Sequence, residues 1–373
     1  MSKKVLITGV TGQDGSHMAD YLIKNTDCHV IGAIRRLSSP NHINIQHLKD
    51  HPRFELIDMD ITDSHNVESV VQLYKPDYFI NFAANSFVGS SWAMPANHLH
   101  TNCYSVLYQL EAIKRFAPLC RYYNAGSSEE FGDVIVAPQD ELHPLRARSP
   151  YGASKASARM FVKVYRESYN LYAVQGWLFN HEGTRRGEEF VTRKISKAVA
   201  RIKKDLDNGI LWDKAPLELG NLEAKRDWSD AEDFMDGVWR MLNQDKHREF
   251  SRSWCFEPDK YKQLNEYVLS SNETHTIREF VELAFKAAGI DGYWVNDTGE
   301  EKDERFLTLI KKEGHLDLEI PLVSINEKFY RPAEVELLLG DSTRAREELG
   351  WKPQSTFQDL VEKMVNNDIK EMS

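Results

Sequence analysis

The stretch VLITGVTGQDG, Val5 to Gly15, carries the reading of the chain. Val5 to Thr8 form a short β-favouring run that stops at Gly9. Glycines recur at Gly9, Gly12 and Gly15, and the amphipathic HMADYLIK follows at once. A strand that breaks on a glycine loop and reopens as a helix lets the backbone turn tightly and approach a pyrophosphate. The unsatisfied N–H groups and the dipole of the helix start favour that negative charge. Gly9, Gly12 and Gly15 are therefore expected to cradle the phosphates of a dinucleotide.

Outward from that loop, HVIGAI, FELIDMD, YFINFAA, YYNA and AVQGWLF each read as strands, separated by helix-period segments such as SVVQLY and SVLYQLEAIKRF. The alternation predicts an α/β fold, a Rossmann-type doubly wound parallel sheet. It weakens after Asn180, where a basic helical stretch, TRKISKAVARIKK, leads into LELGNLEAKRDWSD. Residues 1–180 are expected to form the nucleotide-binding domain, with some later segments returning to it. Residues 181–373 are expected to form mainly a smaller C-terminal α/β domain for the substrate. Asp291 to Glu327 is charge-dense and reads as a turn-rich surface excursion.

The chain has 373 residues, 41% hydrophobic and 28% charged, with a formal charge of −10, which suits an ordinary globular protein of about two domains. That charge argues against a broad surface for nucleic acid or anionic membrane, but leaves room for a local basic pocket. Cys28, Cys103, Cys120 and Cys255 show no metal-ligand spacing and no secreted disulfide framework, so buried thiols and no metal are expected. The apolar run at the N-terminus ends at Gly9, too short for a signal peptide, and no stretch has the apolar length of a membrane span. A cytoplasmic setting follows.

The second strand chooses between dinucleotides. An NAD site carries an acid there for the ribose 2′-hydroxyl. Here HVIGAI ends in Arg35-Arg36, two guanidiniums suited to a 2′-phosphate, so NADP is expected. Asp60, after the third strand, could accept from the adenine amino group or simply serve a turn.

SPYGASK, Ser149 to Lys155, places Tyr151 and Lys155 four residues apart on one helical face. A nearby ammonium lowers a phenol's pKa and lets it act as base and then acid towards a hydroxyl. Ser127, at the end of a central strand, could bond the same hydroxyl. In GSSEEFG two carboxylates, Glu129 and Glu130, follow that serine, one more function than alcohol oxidation requires. Once a sugar 4-hydroxyl becomes a ketone, its C5 proton is acidic. Glu129 could remove it, water would leave from C6, and a hydride would return there. Extended alternation would put Ser127 and Glu129 on one side and turn Glu130 away.

On these residues the chain resembles the extended short-chain dehydrogenase/reductase superfamily and, within it, the GDP-mannose 4,6-dehydratase family. The resemblance runs from TGVTGQDGS to LGWKP. It is carried further by RRLSSPN, RSPYGASK, LFNHEGTRRGEEFVTRKIS, LGNLEAKRDW and FYRPAEVELLLGD. It implies a hydro-lyase that converts GDP-mannose to its 4-keto-6-deoxy product plus water by internal oxidation, elimination and reduction with NADP. The implied catalytic residues are Ser127, Glu129, Tyr151 and Lys155. Cofactor contacts would come from Gly9, Gly12, Gln13, Asp14, Gly15, Arg35, Arg36, Asp60, Ala83, Lys155, His181 and Arg186. The GDP-sugar would meet Asn180, Val191, Lys194, Arg226, Arg331 and Glu334. The loop bearing Arg35-Arg36 would pack at a subunit interface, implying a homotetramer.

The chain departs from the family pattern in places. Gly126-Ser127 replaces Ser-Thr, Asn85 and Phe87 replace Gln and His, and Gly183-Thr184 replaces Ser-Pro. Two alternatives stay open. One is a 4,6-dehydratase of another nucleotide sugar, such as a GDP-manno-heptose; the other is a nucleotide-sugar epimerase, which would need no elimination acid.

Overall fold

The computed structural model describes residues 2–210, 215–244, 264–310, 317–330 and 337–372. The first half alternates strand and helix. In chain order it comprises β1 (Lys4–Thr8), α1 (Gln13–Asn25), β2 (His29–Ile34), β3 (Phe54–Asp58), α2 (Ser64–Tyr74) and β4 (Tyr78–Asn81). The short α3 (Val88–Ser91) and α4 (Pro95–Leu99) come next, then α5 (Ser105–Phe116), β5 (Arg121–Ala125), α6 (Pro150–Tyr169) and β6 (Tyr172–Leu178). The later elements are β7 (Asn180–Glu182), α7 (Val191–Asp207), β8 (Leu217–Leu219), β9 (Lys225–Arg226), β10 (Trp228–Asp230), α8 (Ala231–Met241) and β11 (Val268–Leu269). They are followed by β12 (His275–Thr276), α9 (Ile277–Ala287), β13 (Tyr293–Val295), β14 (Arg305–Ile310), β15 (Leu318–Ile325), β16 (Leu337–Leu338), α10 (Thr343–Leu349) and α11 (Phe357–Met372).

Seven strands form one parallel sheet in the order β11-β6-β5-β4-β1-β2-β3. Both faces are covered along the central strands, which are mainly apolar on both sides, while the edge strand β3 is partly exposed. Val5, Ile7, Val30 and Ile80 point into one core with Met18 and Phe234, while Leu6, Ile31 and Phe79 point into the other with Val106 and Val162. The chain order reverses between β1 and β4, which opens a crevice beyond the carboxyl ends of the strands, where open α/β sheets bind their ligands.

The chain returns to this sheet late. β11 extends it beside β6, and Phe234, Met235, Val238 and Trp351 pack on its face. A separate core joins Ile195 and Val199 of α7, Phe280 and Phe285 of α9, Leu322 of β15, and Leu360 and Met364 of α11. Asp291 to Glu327 differs from the turn-rich excursion expected: β13, β14 and β15 line up with β8 as a four-stranded sheet. Phe306, Leu307, Ile320, Leu322 and Val323 are buried there, Tyr293, Leu309 and Leu318 are exposed, and the register shifts at Phe306/Leu307, so no clean period of two shows in the sequence. Among the described residues no helix is long and apolar enough to cross a membrane.

A row of buried polar side chains crosses the centre of the main sheet. Thr8 Oγ1 donates to Asn81 Oδ1 (2.5 Å), Asn81 Nδ2 to Asn124 Oδ1 (2.7 Å) and Asn124 Nδ2 to Gln175 Oε1 (2.6 Å). The register pairs the same residues, Thr8 with Asn81, Asn81 with Asn124 and Asn124 with Gln175. The row runs from the strand that feeds the glycine loop to the strand beside the YGASK helix.

Candidate active site

The crevice holds a cavity of about 690 Å³. Its floor is the glycine loop. Gly9 has a positive φ of 69°, and a Cβ there would lie 2.8 Å from the Ala83 nitrogen, so only glycine fits. Gly12 caps α1 without any side-chain bond, leaving the helix's first N–H groups to face the cavity together with Gln13, Asp14 and Gly15. Ala83 follows β4 on the opposite wall, its N–H on Thr8 Oγ1 at 3.3 Å. Arg35 and Arg36 stand exposed beyond β2 on the rim. Asp60 also lines the wall, two residues beyond the end of β3, where its Oδ1 accepts from the Thr62 N–H (2.9 Å) and hydroxyl (2.7 Å). It organises that turn as well as facing the cavity.

His181 lies behind the wall. Its Nε2 meets Asp14 Oδ2 at 3.1 Å, its Nδ1 meets the Phe179 carbonyl at 2.7 Å, and its ring stacks on Phe234. Burial alone would lift the Asp14 carboxyl, but the His181 charge and hydrogen bond hold it well below the usual range. Conversely, burial works against His181's charge, and Asp14 more than offsets it, raising His181. Gln13 Nε2 donates to the His181 carbonyl at 3.0 Å, completing a tie between α1 and β7. Arg186 lines the cavity, pairs with Glu182 at 3.0 Å and lies 3.6 Å from the Phe190 ring centroid.

The chemistry gathers at the end of β5. Ser149 caps α6 through the Gly152 N–H, Pro150 starts the helix, and Tyr151 and Lys155 point from its first turns toward that strand end. Lys155 Nζ donates to the Ala125 carbonyl (2.8 Å) and sits 5.9 Å from the Tyr151 ring centroid. Ser127 hydrogen-bonds the Tyr151 phenol. Burial pushes the phenol up; the Ser127 bond opposes that, the charges of Glu129 and Glu130 add to it, and Arg186 counters them. Burial brings Lys155 down to about 8, against the opposing pull of Glu130 and Asp14.

Ser127 and Glu129 do meet, but not by alternation. Ser127 is extended, and Ser128 to Glu130 then coil into one 3-10 turn that Ser127 caps. Ser127 Oγ accepts from the Glu129 N–H at 3.2 Å, and both side chains are buried beside Tyr151. Glu130 faces elsewhere than Glu129, inward against Arg159. It is fully buried, its Oε1 accepts from the Ser127 N–H (2.9 Å), and its Oε2 pairs with Arg159 Nε (2.5 Å). Gly126 makes room for this: a Cβ there would lie 2.1 Å from the Gly176 carbonyl and 2.7 Å from Glu130 Oε1.

Of the expected substrate residues, those described are not among the residues lining this cavity; Asn180, on β7, carries a buried Oδ1 with no partner among the described residues. Val191 starts α7, and Lys194 donates to the Glu218 carbonyl at 2.6 Å with its Nζ 3.8 Å from the Phe329 ring centroid. Arg226 is buried on β9 with NH1 on the Lys225 carbonyl at 2.8 Å. Arg331, Glu334 and Cys255 lie outside the described residues. The structure adds wall residues that sequence spacing did not single out: Asn97, His100 and Thr101 around α4, and Arg185 and Phe190 before α7. Arg159 was also missed, although it continues the four-residue spacing of Tyr151 and Lys155.

The family model described as GDP-mannose 4,6 dehydratase matches residues 6–254 and 258–364. The human GDP-mannose 4,6 dehydratase is 38% identical over 376 residues, covering 98% of this chain and 91% of its own. Among solved structures, the dTDP-glucose 4,6-dehydratase of Streptomyces venezuelae, with NAD and TYD bound, superposes with a TM-score of 0.75 at 20% identity, covering 98% of this chain and 96% of its own. RMD from Pseudomonas aeruginosa, complexed with NADPH, gives 0.70 at 19% identity, covering 100% and 99%. These two likenesses establish the shared fold.

Proposed function

The chain belongs to the GDP-mannose 4,6-dehydratase family, and from that premise we propose that it removes water from GDP-mannose to give the 4-keto-6-deoxy sugar, with NADP held in the crevice. The observation that carries the reading is the convergence of Ser127, Glu129 and Lys155 on the buried Tyr151.

The residues present fit a dinucleotide. The uncapped start of α1 and the Gly9 cradle suit a pyrophosphate, and Arg35 and Arg36 on the rim suit a 2′-phosphate. Bound there, the nicotinamide supplies a reversible store for one hydride. Tyr151 takes the proton of the 4-hydroxyl as that carbon is oxidised, Ser127 holds the oxygen, and the Lys155 ammonium favours the phenolate that Tyr151 becomes. The new carbonyl acidifies the C5 hydrogen. Glu129 removes it and passes a proton to the departing 6-hydroxyl, so one water is lost; the hydride taken from C4 returns to C6 and the proton held by Tyr151 is given back at C5, leaving no net redox change. Residues 1–180 bind most of the cofactor, with His181 and Arg186 beside them, and residues 181–373 mainly bind the nucleotide sugar through Val191, Lys194, Arg226, Arg331 and Glu334, joined by Asn180. Arginines suit the diphosphate because they neutralise it and fix its register. The loop from Arg35 to Asn41 joins subunits of a homotetramer.

Purified protein incubated with GDP-mannose and no added reductant is expected to give a product lighter by one water in mass spectrometry. An isomer of unchanged mass would favour an epimerase. Turnover of another GDP-sugar alone would move the substrate to a different hexose or heptose.

A further inference from the structure

Glu130 plays no part in the chemistry just described, yet it is fully buried and draws four groups around itself. The Ser127 N–H (2.9 Å) and Gln175 Nε2 (3.0 Å) donate to Oε1, while Arg159 reaches both oxygens, with Nε at 2.5 Å and NH2 at 3.4 Å. Arg159 is shared with Glu266 (2.8 Å), which also pairs with Arg166 (2.8 Å), so two acids and two guanidiniums form one buried cluster. The Arg159 guanidinium lies 3.5 Å from the Trp177 ring centroid. The polar row across the sheet ends here as well. Each donor from Thr8 onward points the same way, and Gln175 delivers the last one to the Glu130 carboxylate. An anion at one end of such a row orders every amide in it.

We propose that Glu130 is a positioning residue for the dehydration, a buried anion that fixes Ser127 through its backbone N–H and supplies the negative field in which Tyr151 and Lys155 act. The inference rests on the reading above that those residues perform the oxidation step. The geometry separates the two adjacent acids: Glu129 faces the phenol, and Glu130 lies beneath the turn against Arg159. Other charged and titratable groups face the pair too. Asp14 comes from α1, Glu129 from the turn, Arg186 from the segment before α7 and His98 from α4, while Arg159 lies farther along α6. Among the neighbouring charges Glu130 acts most strongly on Lys155, opposing the effect of burial, and it also adds to the upward pressure on Tyr151.

Removing the Glu130 charge lowers both the phenol and the ammonium, so the two limbs of the pH profile move together. Glu130→Gln keeps an oxygen for the Ser127 N–H and deletes the charge. Both limbs of kcat/KM are expected to shift acidward by roughly one pH unit. Arg159→Gln removes the opposing charge and is expected to shift both limbs alkaline. Glu266→Gln, which leaves Ser127 untouched, gives a smaller acidward shift and carries the test if a stronger variant does not fold. Carbon-13 lysine NMR, assigned with Lys155→Met, follows the Lys155 titration without any substrate, so the proposal stands or falls apart from the choice of GDP-sugar. Shifts of opposite sign for the acid and arginine variants support it. Limbs and Lys155 titration that stay in place, with only lower activity or a lower Tm, would overturn it and leave Glu130 a purely structural anchor.

Discussion

At the residue scale, Gly183 and Gly126 show how one atom of side chain decides a site. A Cβ on Gly183 would lie 3.7 Å from Gln13 Oε1 and 3.8 Å from His17 Nε2, ordinary contacts with two buried atoms that have no partner among the described residues. A serine hydroxyl there would reach both, and one net hydrogen bond contributes about 1 kcal/mol. Gly183→Ser is therefore expected to raise Tm by about 2 °C in a thermal melt. Gly126→Ala should do the reverse, because its methyl would meet the Gly176 carbonyl and the Glu130–Arg159 pair; loss of soluble protein or a drop of many degrees is expected. Tyr151, Lys155 and Ser127 were legible in the sequence because their motif fixes them locally. The role of Glu130 was not: its partners Arg159 and Gln175, and the Glu266 that shares Arg159, lie far along the chain and come together only when β5, β6, α6 and the segment leading into β11 pack.

At the scale of elements, the glycine loop and the strand–helix alternation were readable because β1, β2, β4, β5 and β6 are buried on both faces and so appear as mainly apolar runs. The sheet of β13, β14 and β15 was not readable, since burial does not alternate along its strands, the register shifts at Phe306/Leu307 and a charge-dense turn interrupts it. The end of β2 carries its own test. Arg35 and Arg36 project from the loop that follows it, and each charge-assisted bond to a phosphate contributes about 1.5–3 kcal/mol. Arg35→Ala and Arg36→Ala are each expected to weaken NADPH binding by roughly ten- to a hundredfold by fluorescence titration, while NADH binding changes little. Equal losses for both dinucleotides would mean that these arginines do not read the 2′-phosphate.

At the scale of the whole molecule, the joint between α1 and α8 couples stability to pH. His17 is buried on α1, its Nδ1 3.9 Å from Glu232 of α8. Burial and the Arg185 charge push it down to about 4, against the opposing pull of Glu232. The folded protein therefore holds His17 neutral, while the unfolded chain takes up a proton below about 6.5. The stability it contributes is complete above that pH and is lost as pH falls towards 4, by up to roughly 3 kcal/mol. Denaturation midpoints should fall across that window for the native chain, and His17→Gln should flatten the dependence. An unchanged slope would place the acid sensitivity elsewhere. This joint also ties the cofactor loop to the later part of the chain, parallel to the Asp14–His181 pair.

In the proposed reaction Glu129 performs elimination only after Tyr151 has performed oxidation. The direct measurement is a single turnover of Glu129→Gln carrying bound NADP+ with GDP-mannose, following nicotinamide absorbance and product mass together. The expected result is reduced cofactor that accumulates with no loss of water, whereas Tyr151→Phe shows neither event. A product lighter by one water from Glu129→Gln, or a Glu129→Gln enzyme that binds cofactor but never reduces it, would contradict the division of labour proposed for this site.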